Sequence, residues 1–185
     1  VVVDATAASD NSTWQRTLPS LDEQFFPATK VWLLPTAEDN LASIGPLPSH
    51  VEVISATQRL ADGAFMETML SSSTEWLVIV RPGTVFAKHS LFWFMAEGLI
   101  NRQRKLIYSD HDYLDADGQR TGPLFKPDWS PELMRSTHYI GDTLAVHRDL
   151  LTQCVGLGPA SDKPINVHDL LFRLSEQLTA QAIHH

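Results

Sequence analysis

Short apolar runs, separated by stretches with helical spacing, set the pattern of this chain. Val1-Val2-Val3, Val31-Trp32-Leu33-Leu34, Val51-Glu52-Val53-Ile54, Trp76 to Val80 and Leu106-Ile107-Tyr108 are short and β-branched or aromatic, and they read as strands. Pro35 closes the second run, and the third follows the proline-rich stretch around Pro46 and Pro48. Trp14, Leu18, Leu21 and Phe25 fall at i, i+4, i+7 and i+11, which predicts a helix capped by Asn11 or Ser12 with a kink or break at Pro19. Leu60, Ala64 and Met69 keep a helical period within 57–72, and Leu91, Met95 and Leu99 do so within 88–102. Strands alternating with helices imply an α/β fold with a mostly parallel sheet, helices on both faces and ligands at the carboxyl ends of the strands.

Past the fifth strand the pattern changes. Asp115-Ala116-Asp117-Gly118 is a strong turn signal, and residues 119–137 carry Pro123, Pro127 and Pro131 with little periodicity, so this stretch reads as an excursion over the sheet's rim. Leu170, Leu171, Leu174 and Leu178 restore a helical stripe behind Asn166, which can cap it. At 185 residues the expectation is one domain over 1–185, and 43% hydrophobic with 19% charged residues is the composition of a folded soluble protein.

Charge narrows the partners. Fourteen Lys and Arg against twenty-two Asp and Glu give a net charge of −8, which argues against nucleic acid. A diphosphate ligand would need a divalent cation or backbone N–H groups between it and the carboxylates. The single Cys154 allows neither an internal disulfide nor a zinc site of its own, which suits a reducing, cytoplasmic setting. No apolar run is long enough to span a bilayer, and the first residues lack the basic start of a signal peptide.

Asp110 and Asp112, at i and i+2 at the end of the fifth strand, project to one side of an extended backbone and can hold Mg²⁺ or Mn²⁺ against a diphosphate; the plainer alternative is the start of a polar loop. From Leu106 to Leu150 the chain carries Tyr108-Ser109-Asp110-His111-Asp112, then Phe125-Lys126-Pro127-Asp128-Trp129-Ser130-Pro131, then Tyr139-Ile140-Gly141. This tract resembles the YSDED…FKPDWSP…YIG tract of family-2 glycosyltransferases that build bacterial surface polysaccharides. "TLPSLDEQ" from Thr17, "DLLFRL" from Asp169 and the closing "AIHH" extend the likeness. The resemblance implies a GT-A fold, a Rossmann-like three-layer sandwich. It also implies a nucleoside-diphosphate sugar donor and inverting transfer to a hydroxyl of a glycan or lipid-linked acceptor, by a protein at the inner membrane as part of a larger chain.

Three positions depart from that family's pattern. Its LDHDD motif at the end of the preceding strand is replaced by Val80-Arg81-Pro82-Gly83-Thr84, where Arg81 can grip a diphosphate directly or be a surface arginine before a turn. The expected base, the first Asp of a DYDLLLR pattern, is replaced in Val167-His168-Asp169, leaving His168 and Asp169 as proton acceptors or Asp169 as a helix-start residue. The first-strand loop reads Asp4-Ala5-Thr6-Ala7, with Asp4 or Asp39 left to meet the base or ribose. Lys126 is a candidate phosphate contact, while Trp129 and Tyr139 are candidates for the acceptor side with His138 nearby, each with a packing role as the alternative. His184 and His185 read as native chain or as a tag remnant. The departures also admit a catalytically silent module of the same fold that binds nucleotide, glycan or a partner subunit.

Overall fold

The computed structural model describes residues 1–4, 13–35, 46–54, 63–154 and 167–185. The five expected strands form as β1 (Val2–Asp4), β2 (Val31–Leu34), β3 (Val51–Val53), β4 (Trp76–Val80) and β5 (Leu106–Tyr108). Four of them run parallel in the order β3-β2-β1-β4, with Val3 beside both Leu33 and Val80.

Two further strands complete the seven-stranded sheet. β8 (Leu144–His147) lies between β4 and β5 and runs antiparallel to both, pairing Ile79 and Tyr108 with the same Leu144. β9 (Ile183–His184) adds to the far edge, parallel to β5. The sheet is therefore mostly parallel, as the sequence implies, with one reversed strand that the sequence reading missed. The rim excursion likewise contains structure it missed: β6 (His111–Leu114) and β7 (Arg120–Leu124) form an antiparallel hairpin around the Asp115–Gly118 turn.

Helices cover both faces, and alternation along the strands decides which side chains meet which layer. Val1, Val3, Leu33, Val78, Val80 and Ile107 pack against α1 (Trp14–Asp22) and α3 (Ser90–Ile100). Val2, Trp32, Leu34, Leu77, Ile79 and Leu106 pack against α2 (Gly63–Ser71), α4 (Pro131–Ser136), α5 (Arg148–Cys154) and α6 (Val167–Glu176). Strands buried on both faces explain the unbroken apolar runs.

Some helical details differ from expectation. Helix α1 continues through Pro19 rather than breaking there, and Phe25 lies beyond its end, 75% exposed, so the buried stripe is Trp14, Leu18 and Leu21. The buried face of α3 is Leu91, Phe94 and Gly98, not Leu91, Met95 and Leu99; Leu99 is exposed. That helix is apolar around most of its circumference, so spacing alone could not choose the inward face. Of the expected 57–72 helix the described part is Gly63–Ser71, and Leu60 lies outside the described residues, as do the proposed caps Asn11, Ser12 and Asn166.

Candidate functional site

Parallel strands end on the same side, and here β1, β4 and β5 end beside the start of β8. Asp4, the buried last residue of β1, lies on that edge next to the Val80–Arg81 end of β4. Ile140 is fully buried, and Gly141 follows at φ +77°, a left-handed conformation that glycine adopts without a Cβ clash. The turn there brings Asp142 to Arg81, with Asp142 Oδ2 3.1 Å from Arg81 Nη1.

Asp142 is compensated from more than one side. Its Oδ1 lies 3.4 Å from His138 Nε2. The contact with His138 holds its carboxyl below the usual range against the opposing effect of burial, and Arg81 and Lys126 add to the lowering. The His138 ring meets that of His168 at 4.7 Å between centroids, so α6 brings its first turn to the same place. Beyond that long contact from Nε2 to Asp142, His138 Nδ1 and His168 Nε2 are buried without a hydrogen bond.

Lys126 is the buried cation of the site. Its Nζ donates to Ile140 O at 2.5 Å, and its backbone N–H donates to Asp110 Oδ1 at 2.7 Å. Burial pushes its ammonium down to about 8, while Asp110 and Asp142 pull the other way. The Phe125-Lys126-Pro127 segment thus crosses back over the end of β5. Tyr108, at the last position of β5, fixes that crossing by donating to Pro127 O at 2.7 Å.

Asp110 and Asp112 take different partners. Asp110 is held by the Lys126 N–H and by His185 Nε2 at 2.8 Å, whereas Asp112, inside β6, pairs with Arg120 of β7. The shared metal position expected from their i, i+2 spacing is therefore not assembled, because the chain leaves β5 at Ser109 and Asp110 before extended pairing resumes at His111. Among the described residues no group of three or more His, Cys, Asp or Glu side chains is placed to hold a metal ion. Among the described residues, Asp110 and Asp112 therefore do not form the paired carboxylate site for a divalent cation expected from the sequence.

The other sequence candidates divide. His168 is half-buried against His138 and Phe172, while Asp169 is exposed. Val167, at the position of the family's base, is buried in the core. Tyr139 is partly buried; its hydroxyl accepts from Ser130 N at 2.9 Å and its ring meets Tyr108 edge-on. Trp129 packs on the core and lines a cavity of about 360 Å³ with Met134, Arg135, Phe172 and Glu176. Asp39 lies outside the described residues.

Two contributors escaped the sequence reading. Asp142 gave no signal, since its partner Arg81 is distant in sequence. His185 is built into the site by β9 and stacks on Tyr108, and both help line a cavity of about 500 Å³ with Trp93, Phe94, Asp110 and His184. No helix among the described residues is long and apolar enough to cross a membrane.

No protein-family profile matches the chain. Over 88 residues, 48% of this chain, it is 44% identical to the O-antigen biosynthesis protein RfbC of Myxococcus xanthus. It is 33% identical over 81 residues to an uncharacterized protein of Sinorhizobium fredii. The chain spans only 7% and 9% of the lengths of these two relatives. Among solved structures it resembles glucosyl-3-phosphoglycerate synthase from Mycobacterium tuberculosis in complex with Mn²⁺, UDP-glucose and glycerol 3-phosphate. That likeness has a TM-score of 0.59 at 13% identity and covers 99% of this chain and 68% of that one. It also resembles 4-diphosphocytidyl-2C-methyl-D-erythritol synthase from Anaerococcus prevotii, with a TM-score of 0.56 at 13% identity, covering 95% and 80%. At such identities the likeness shows the fold, which is the GT-A type with its mostly parallel sheet.

Proposed function

From the GT-A fold and the kinship with a surface-polysaccharide protein, we propose that this chain is the donor-binding domain, over 1–185, of a family-2 glycosyltransferase. Its donor is a nucleoside-diphosphate sugar and its acceptor a hydroxyl of a glycan or lipid-linked saccharide, used at the cytoplasmic side of the inner membrane by a larger protein. The observation that carries the reading is the convergence of Arg81, Lys126, Asp110 and Asp142 where β1, β4 and β5 end, the edge at which open α/β sheets take ligands. The fold is shared with a 4-diphosphocytidyl-2C-methyl-D-erythritol synthase, so the sheet alone does not choose the reaction. The 44% identity to an O-antigen biosynthesis protein favours glycosyl over nucleotidyl transfer.

In this reading Arg81 and Lys126 meet the diphosphate and stabilise the charge that grows as it departs. Asp4 and Asp39 belong beside the nucleoside. Trp129 and Tyr139 face the acceptor, and the cavity between Trp129, Arg135 and Glu176 offers an aromatic face flanked by both charges, a combination suited to a sugar ring. His168, whose ring meets His138 at the first turn of α6, and the neighbouring Asp169 are the candidate proton acceptors. Single displacement from the face opposite the leaving diphosphate would invert the anomeric centre. Mn²⁺ accompanies the donor in the solved relative; here Asp110 and Asp112, the residues expected to hold Mg²⁺ or Mn²⁺, turn to different partners.

A second reading has observations of its own. Val167 in the base position and the divergent partners of Asp110 and Asp112 favour a silent module that binds nucleotide, glycan or a partner subunit. Calorimetric titration with UDP, GDP and dTDP, followed by release of nucleotide from the corresponding donor sugars, separates the two. Binding with turnover supports the transferase. Binding without turnover supports the silent module, and no nucleotide binding removes the donor site.

A further inference from the structure

Resting on the donor-site reading above, we infer that the diphosphate is gripped without a metal, by an exchange of partners at Arg81. In the structure Arg81 makes one 3.1 Å contact to Asp142 Oδ2, and its side chain is 47% exposed at the end of β4. A guanidinium is a planar fork that prefers two parallel bonds to paired oxygens, and a diphosphate offers them where Asp142 makes one. Asp142 is thus an internal stand-in for the ligand. When the ligand takes Arg81, Asp142 is not left as an uncompensated charge: its Oδ1 keeps His138 at 3.4 Å, and the Lys126 ammonium continues to favour its ionised form.

The same geometry weighs against a cation in this place. Asp110 has its Oδ1 taken by the Lys126 N–H and His185, which leaves only its Oδ2 for a cation, and Asp112 is drawn into the hairpin by Arg120 instead of joining it. Two fixed positive groups, Arg81 and Lys126, stand where a cation-dependent site would need carboxylates free.

The exchange has an unusual signature, because removing a carboxylate should tighten the binding of an anion. The experiment is calorimetric titration of the 185-residue chain with UDP, GDP and dTDP, once in EDTA and once in Mn²⁺, for the parent, Arg81→Gln, Arg81→Lys and Asp142→Asn. Circular dichroism melting accompanies each variant, and Asp142→Asn keeps the shape of the side chain. The expected result is a parent Kd in EDTA within about threefold of that in Mn²⁺, weakening of about tenfold or more in Arg81→Gln with partial recovery in Arg81→Lys, and tightening of several-fold in Asp142→Asn. Binding that requires Mn²⁺ and weakens in Asp142→Asn overturns the exchange while leaving the donor site intact. Binding in EDTA that Arg81→Gln does not change also overturns it. Absence of binding to all three nucleotides overturns both readings together.

Discussion

His185 lies nearly flat on Tyr108, with ring centroids 5.0 Å apart and 25° between planes, while its Nε2 sits 2.8 Å from Asp110 Oδ1. The stacking and the hydrogen bond are separable. His185→Phe keeps an aromatic face and loses the polar contact, whereas His185→Ala loses both. Urea denaturation should rank the parent above His185→Phe and that above His185→Ala, with the whole span on the order of 1–2 kcal/mol. Equal stability of all three would show that β9 holds the edge without this ring.

Lys126 gives the stability curve a defined slope. Its ammonium sits at about 8 in the folded protein, against 10.5 for an unperturbed lysine. Between those values the unfolded chain binds the extra proton, so the contribution of Lys126 to stability rises with pH from about 8 to 10.5 and is constant below. The stability of the parent relative to Lys126→Met should therefore increase by a few kcal/mol across that window, read from urea midpoints at successive pH values. A difference that stays flat with pH would contradict the burial of the charge.

Gly98 lets α3 lie against the Trp76 indole of β4. A Cβ added there would stand 2.5 Å from Cζ2 of Trp76, whose indole is also met edge-on by His147. Helix propensity favours alanine over glycine by about 1 kcal/mol, but overpacking against a ring held on its other side costs about 1–3 kcal/mol. Gly98→Ala should lower the melting temperature by several degrees, measured by calorimetry.

Ser130 is bonded through both its groups. Its side chain accepts from Leu133 N at 3.2 Å as the cap of α4, and its own N–H donates to the Tyr139 hydroxyl at 2.9 Å. Ser130→Ala should cost about 1 kcal/mol. Tyr139→Phe should cost about 1–3 kcal/mol, because it leaves a part-buried donor without an acceptor. Chemical denaturation of the two single variants and the double variant tests whether the losses add.

β1, β2, β4 and β5 were legible because they are buried on both faces and so carry nearly unbroken apolar runs, whereas the edge strand β3, partly exposed and interrupted by Glu52, was legible only from Val51, Val53 and Ile54. β8 was missed because its buried run Leu144-Ala145-Val146 contains one β-branched residue and leads directly into α5 with no intervening turn signal. β7 is exposed throughout and contains Gly122 and Pro123, so neither alternation nor composition marked it as a strand. Arg81, Lys126, Asp110 and His168 stood out in the sequence as single candidate residues. Their relationships did not, since Arg81 is bound to Asp142 and Asp110 to His185 by pairings that only the sheet order creates.

The reversed strand also sets a schedule for assembly during synthesis. β1 to β4 can pair as soon as they leave the ribosome, but β5 has no place beside β4 until residues 144–147 arrive to lie between them. Until then the apolar residues of β5 lack their partner, an interval in which a nascent chain is open to mispairing. The placing of β8 brings Asp142 to Arg81 in the same step, and the His185 contact to Asp110 can follow only when β9 completes the far edge.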